Sequence, residues 1–364
     1  MRIAYIINSL EGGGACFPVP AITSVFRQAG HEVAVFALSR RDGLALPRLK
    51  EAGLRVEICP AGEKQQVQTL RWLNAALASW KPDLLWTSLI RSTLLGQLIG
   101  ARHRWPVVSW QHNANPKPIN RRLLLAQRRL SCFWVGDSQF VTDETHRILG
   151  IPRDRLACWP IFYATPTAPQ ARPWRKGEVI RIGSLGRLSR EKGYGDLCAA
   201  LALLRKTSHN LPPYEITVRG EGNHRAFIEE RCRAHGLDMI RFPGFVSDTR
   251  DFLASQHMYI QPSRWEGFCV AMHEAMQGGL PVLGTTVGEM GHSVQEGRTG
   301  WRAAPRDPQS LADALIRALS QPERFHEMGQ QARDYVCTRF SEESFTQAGM
   351  GILDRVRAIT GIRK

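Results

Sequence analysis

Ile180-Arg181-Ile182-Gly183-Ser184-Leu185-Gly186-Arg187-Leu188-Ser189-Arg190-Glu191-Lys192-Gly193 is the stretch on which the fold turns. Ile180–Ser184 is an apolar run short enough for a buried parallel strand, and the glycine turn behind it leads into a helical pattern over 194–206. The chain opens in the same order. Residues 3–7 (Ile-Ala-Tyr-Ile-Ile) read as a strand, Gly12–Gly14 as a turn, and a helix-like stretch then runs to about Gln28. A pattern that starts, runs its course and starts again predicts two similar halves.

In the first half, further strands are expected at His31–Leu38, 54–59, 84–88, Pro106–Trp110 and Phe133–Val135, with helices near 44–52 and 66–79. Pro18 suits the first turn of the first helix, and Pro20 suits it less well. In the second half, strands are expected at Tyr214–Arg219, Met239–Phe242, Met258–Gln261 and Pro281–Gly284, with a helix over 223–235. Strands alternating with helices through short connections predict a parallel sheet covered on both faces. The expected fold class is therefore α/β, two Rossmann-like domains facing each other across a cleft.

The 364 residues are the right length for two domains. Their boundaries are placed at 1–165 for the N-terminal domain, 166–178 for a proline-punctuated linker and 179–340 for the C-terminal domain. Residues 341–364 form a C-terminal helix whose stripe of Phe345, Ala348, Ile352, Val356 and Ile359 is expected to pack back across the domains.

Two motifs carry chemistry. Arg187 and Lys192 stand just beyond the carboxyl end of a strand, where open α/β sheets bind ligands. Two cations there suit a diphosphate whose charge grows as it departs. The second motif runs Trp265-Glu266-Gly267-Phe268-Cys269-Val270-Ala271-Met272-His273-Glu274 across a strand–turn–helix junction. Glu266 falls in the turn and Glu274 in the early helix, whose N-terminus suits phosphate. Carboxylates beside a diphosphate make sense as acceptors for sugar hydroxyls. The plainer reading is that both merely complement a helix dipole.

Together these motifs resemble the family-4 retaining glycosyltransferases of the GT-B fold, with their E-x7-E and GRL-x-x-x-KG patterns. The resemblance extends to Gly12-Gly13-Gly14, Gly30-His31-Glu32-Val33, Lys81-Pro82-Asp83, Gly220-Glu221-Gly222, Gly244-Phe245-Val246 and Gly297-Arg298-Thr299-Gly300. It implies retaining transfer of a sugar from a nucleotide-diphosphate donor, a UDP-sugar ahead of a GDP-sugar, to a glycan or lipid-linked acceptor, with no cofactor. Arg187 and Lys192 would hold the diphosphate, Glu266 the transferred sugar and Glu274 the ribose. The backbone of Phe268, Cys269 and Val270 would touch sugar or phosphate, Phe245 would line the nucleoside pocket, and Gly13 and Gly14 would let the first loop approach the phosphates. His112, in Trp110-Gln111-His112-Asn113, would lie near the transferred sugar. The family association points to bacterial surface polysaccharide or lipopolysaccharide assembly. Two departures stand out: Trp159-Pro160-Ile161 replaces the usual Asn-Gly at the linker entrance, and His292 replaces a usual glutamate.

Other features narrow the class. Hydrophobic residues at 43% and charged residues at 22% exclude global disorder. The first residues read against a signal peptide, no run spans a membrane, and eight scattered cysteines suggest reduced thiols, so a cytoplasmic protein is expected. Metal dependence is not expected, because Asp248-Thr249-Arg250-Asp251 is no DxD site and His273-Glu274-Ala275-Met276-Gln277 lacks the second histidine of a zincin. A dehydrogenase is disfavoured because the first loop is not GxGxxG. A GT-B sugar-nucleotide epimerase and a non-catalytic nucleotide-binding protein stay open as alternatives.

The net charge of +15 concentrates in the first half, where residues 91–155 hold eleven cations against four carboxylates. The segment Asn120–Phe133 interleaves arginine with leucine, which fits either an anionic membrane surface or a solvated basic face. The first alternative would put the protein peripherally on the inner face of the cell membrane. No recognition motif or stacking platform accompanies the charge, so nucleic acid is not expected as a partner.

Overall fold

The computed structural model describes residues 1–207, 210–246 and 248–362. It divides into one unit of Met1–Phe162 with Glu343–Lys364 and another of Tyr163–Glu342.

The first unit holds strands β1 (Arg2–Ile7), β2 (Glu32–Ala37), β3 (Arg55–Ile58), β4 (Leu84–Ser88), β5 (Val107–Gln111), β6 (Phe133–Gly136) and β7 (Leu156–Cys158). All pair in parallel, in the order β3-β2-β1-β4-β5-β6-β7. Helices α1 (Val19–Gln28), α2 (Leu46–Glu51), α3 (Gln66–Trp80), α4 (Ile90–His103), α5 (Pro118–Gln127) and α6 (Gln139–Leu149) make the crossovers. Pro18 is the N-cap of α1 and Pro20 falls in its first turn, so both prolines occupy positions whose N–H groups have no partner to lose.

The second unit repeats the plan. Strands β8 (Ile180–Leu185), β9 (Tyr214–Arg219), β10 (Ile240–Gly244), β11 (Met258–Gln261), β12 (Val282–Thr285) and β13 (Gly300–Ala303) are parallel in the order β10-β9-β8-β11-β12-β13. Its helices are α7 (Tyr194–Thr207), α8 (Arg225–Ala234), α9 (Thr249–Ala254), α10 (Val270–Gln277), α11 (Met290–Ser293), α12 (Pro308–Leu319) and α13 (Phe325–Arg339). In each sheet the order reverses beside the first strand, between β1 and β4 and between β8 and β11. These are the switch points at which doubly wound sheets open a crevice for ligand.

Residues 166–178, expected as a linker, belong to the second unit. The Ala171 N–H donates to the Gly278 carbonyl, and Trp174 packs against the second core while its indole N–H donates to the Glu178 carbonyl. Trp159, expected near the linker entrance, is instead fully buried in the first unit. Its ring stacks on Trp110 at 4.9 Å and meets Phe26, Trp86 and Phe345 at 5.2–5.8 Å.

Phe345 comes from α14 (Glu342–Thr360), so the C-terminal helix supplies part of the first unit's core. Its buried stripe is Phe345, Gly349, Ile352, Leu353 and Val356, whereas Ile359 is exposed. The expected stripe therefore drifts by the last turn. Gly349 is there because a Cβ would overlap the Trp159 ring.

Candidate active site

At the switch point of the second unit, the loop after β8 meets the turn after β11. Lys192 closes a short turn at Arg190–Lys192, and Gly193 follows with φ +70°. A Cβ at Gly193 would fall on the Pro262 carbonyl oxygen, so only glycine lets the two loops touch. A second lock lies alongside. Arg264 donates to both oxygens of the buried Asp196, at 2.7 and 2.8 Å, while its N–H donates to the Glu191 carbonyl.

The lock fixes a buried polar relay. Lys192 Nζ and Ser263 Oγ each donate to Glu266 Oε1 at 2.6 Å. Gln261 Nε2 donates to Ser263 Oγ at 2.9 Å, and the Tyr259 hydroxyl donates to Gln261 Oε1 at 2.7 Å. The Lys192 and Glu266 side chains keep only 21% and 11% of their exposure, little enough for the pair to interact in a low dielectric. Burial disfavours the Lys192 ammonium, but the adjoining carboxylate more than offsets it and holds its pKa above the ordinary lysine value.

Cys269 is the N-cap of α10, in the left-handed region at φ 68°, and its side chain caps nothing. The Met272 N–H turns back to the Cys269 carbonyl, so the N–H groups offered to an anion are those of Val270 and Ala271. Behind them His273 is fully buried, with Nδ1 against the Cys269 carbonyl at 3.0 Å and Nε2 against Ser293 Oγ at 2.9 Å. Burial, aided by Arg339, lowers its pKa to about 3, so the ring is neutral and adds no charge beneath the helix end. Phe268 is buried against it at 4.2 Å.

The structure thus brings together Lys192, Glu266, Phe268, Cys269 and Val270. Glu274 lies half-buried on α10, and Arg187 is exposed on the loop after β8. Phe245 lies apart: it is exposed beyond edge strand β10, two strands from β8.

Gly13, Gly14 and His112 belong to the first unit. Gly13 has φ +155°, and its carbonyl accepts from the N–H groups of Cys16 and Phe17. His112 follows β5 directly, with Nε2 at 2.8 Å from Ser88 Oγ and Nδ1 at 3.3 Å from Asp137 Oδ2. Its ring also lies 5.3 Å from that of Trp110. Ser88 ends β4 and Asp137 follows β6, so three neighbouring strand ends fix one imidazole. Sequence reading misses Ser88 and Asp137. The available signal is position, since Ser88 ends and Asp137 directly follows a strand adjoining the one before His112.

Residues 169–335 match the family described as Glycosyl transferases group 1, and residues 21–161 match the Glycosyl transferase 4-like domain. The chain belongs to the group 1 glycosyltransferases. A glycogen synthase of Mycobacterium tuberculosis is 33% identical over 196 residues, 53% of this chain and 44% of its own length. The chain thus spans less than half of that relative. The lipopolysaccharide core biosynthesis mannosyltransferase LpsB of Rhizobium meliloti is 33% identical over 36% of this chain and 39% of its own. Anabaena Alr3699/HepE, solved in complex with UDP-glucose, superposes with a TM-score of 0.84 at 19% identity, covering 97% of this chain and 99% of its own. The two parallel-sheet, Rossmann-like domains are those of a GT-B glycosyltransferase. Among the described residues no cluster of histidine, cysteine or carboxylate side chains could hold a metal, and no helix is long and apolar enough to cross a membrane.

Proposed function

We propose that this group 1 glycosyltransferase catalyses retaining transfer of a sugar from a nucleotide-diphosphate donor, a UDP-sugar first, to a glycan or lipid-linked acceptor. The setting is bacterial surface polysaccharide or lipopolysaccharide assembly at the cytoplasmic face of the membrane. One observation carries the reading: a buried Lys192–Glu266 pair lies at the switch point, beside an uncapped helix N-terminus.

The diphosphate occupies the α10 N-terminus, with Arg187 and Lys192 offsetting its charge. Glu266, fixed by Ser263 and Lys192, accepts a hydrogen bond from a sugar hydroxyl, and Glu274 accepts one from the ribose. As the anomeric bond breaks, negative charge grows on the leaving phosphate, and the two cations and helix end stabilise it without a metal ion. The acceptor hydroxyl attacks from the same face and gives its proton to the departing phosphate oxygen. His112, oriented by Asp137 and Ser88, stabilises positive charge on the sugar. The Phe268, Cys269 and Val270 backbone lines the donor pocket beside Glu266. The lipopolysaccharide enzyme among the relatives and the UDP-glucose complex of the structural neighbour support these substrate classes.

A thermal-shift panel of UDP, GDP, ADP, CMP and NAD, with and without EDTA, tests the donor site. A nucleoside diphosphate at a hundred times its Kd adds about 2.7 kcal/mol, enough to raise Tm by several degrees. A shift with one diphosphate that survives EDTA supports the reading; a shift with NAD alone, or with none, sinks it.

A further inference from the structure

The chain carries no aspartate or glutamate between Asp83 and Asp137, and the arginines of α5 fall in the middle of that run. Helix α5 buries one side: Leu124 is fully enclosed with Trp134, Leu149, Ile151 and Leu156. Turning the helix by about 100° per residue places Ile119 and Leu123 together, roughly a third of a turn away from Leu124, and Leu130 follows in the tighter turn Arg128–Leu130. They stay in solvent, Ile119 at 60%, Leu123 at 41% and Leu130 at 39% exposure, with Leu130 continuing the stripe in the turn after the helix.

Arg122 and Arg129 flank the far edge of the stripe, and both are exposed. Neither has a carboxylate partner among the described residues, whereas Arg41, Arg147 and Arg153 of the same unit each reach one. A solvated basic face would hold the arginines but has no use for three large apolar side chains in a row. A nucleic acid would meet the cations but not the aliphatic stripe, which offers no ring for a base to stack on. An apolar ridge edged by guanidinium groups fits a surface that is apolar a few ångströms down and anionic at the top.

We propose that α5 lies in the headgroup layer of an anionic bilayer, with Ile119, Leu123 and Leu130 inserted and Arg122 and Arg129 on lipid phosphates. The loop that carries His112 from the end of β5 runs straight into α5, so this contact brings the β5 end of the first unit to a lipid-borne acceptor. The inference deepens the lipid-linked-acceptor reading and rests on it for its purpose. The contact itself is independent of turnover.

The test is flotation of the full chain with vesicles of phosphatidylcholine alone or with phosphatidylglycerol, at low and high salt. The wild type should float with the anionic vesicles only, and less at high salt. The double variant Arg122→Gln/Arg129→Gln should weaken partitioning about thirtyfold. Ile119→Ser/Leu123→Ser should weaken it even at low salt, which a purely ionic contact would not show. Both variants change exposed side chains, and a UDP thermal shift on the same preparations shows whether they stay folded with the donor site intact. If that shift is absent even in the wild type while flotation behaves as expected, the donor reading fails and the membrane face stands. Flotation indifferent to both variants, or to lipid charge, overturns the membrane face, as does tighter binding to a duplex RNA than to the anionic vesicles.

Discussion

Glu266 Oε1 accepts from an ammonium and a hydroxyl at 2.6 Å each, so its position is set from two sides before any ligand arrives. Removing one donor should differ from removing the charge. Lys192→Ala leaves a largely buried carboxylate without its cation, and should cost about 3 kcal/mol of stability as well as donor affinity. Glu266→Gln keeps a side-chain oxygen for both donors but loses the charge. It should keep Tm within a few degrees while sugar transfer falls about a hundredfold or more. Urea melts and turnover with donor saturating separate the two; equal loss of stability in both variants would deny Glu266 its role. For His112, Asp137→Asn should lower kcat without raising KM for the donor, because it disturbs the ring's orientation rather than a donor contact. A change confined to KM would contradict this. A third residue-scale effect is acid sensitivity. His31 and His257, with folded pKa values of about 4, and His273, at about 3, lie below the ordinary value of 6.5, chiefly through burial. Over that window the unfolded chain binds more protons, so stability is fully present above pH 6.5 and is lost as pH falls towards 4. His273→Gln should flatten that loss in denaturant titrations between pH 7 and 4, and an unchanged slope would refute it.

At the scale of elements, two glycines hold neighbours at close range. Gly193→Ala meets both a left-handed φ and the Pro262 carbonyl, and should cost about 1–3 kcal/mol. It should also separate the two loops of the switch point and weaken the UDP thermal shift. A variant with full UDP response would show that their contact is not needed. Gly349→Val would overpack α14 against Trp159 at a similar cost, with no effect on UDP response in a melt normalised to its own Tm. The same physics explains what is legible in the sequence. Met258–Gln261 is buried along its whole length and Tyr214–Arg219 alternates, with Ile216 and Val218 inward between polar residues, so both strands can be read to the residue. Helix α4 escapes that reading, because its buried face is Ser92, Thr93, Gly96, Gln97, Ile99 and Gly100, with one large apolar side chain rather than a stripe. Neighbouring strands and turns take up part of its polarity: Thr93 Oγ1 meets Thr87 Oγ1, and Gln97 Nε2 donates to Ser131 Oγ, while Gln97 Oε1 is left without a partner. The Lys192–Glu266 meeting is half legible, since each motif announces a ligand site but neither announces the other. Ser88 and Asp137 are invisible, being joined to His112 only by the strand order.

The whole molecule consists of two units, each with its own sheet and core, and the tryptophans divide between them unequally. Seven of the ten (Trp72, Trp80, Trp86, Trp105, Trp110, Trp134 and Trp159) lie in the first unit, so tryptophan emission mainly reports its unfolding. The proposed diphosphate site lies wholly on β8, β11 and α10 of the second. A ligand bound by one unit stabilises that unit by mass action, and reaches the other only through coupling between them. In a urea titration, UDP should therefore raise the midpoint of exchange protection in peptides from 180–285 while the tryptophan midpoint moves little. That outcome would place the nucleotide and assign the two units separate stabilities. If emission and exchange shift together by the same amount, the chain unfolds as one cooperative body. If only the emission moves, the nucleotide is held by the first unit, and Arg187, Lys192 and Glu266 do not bind the donor.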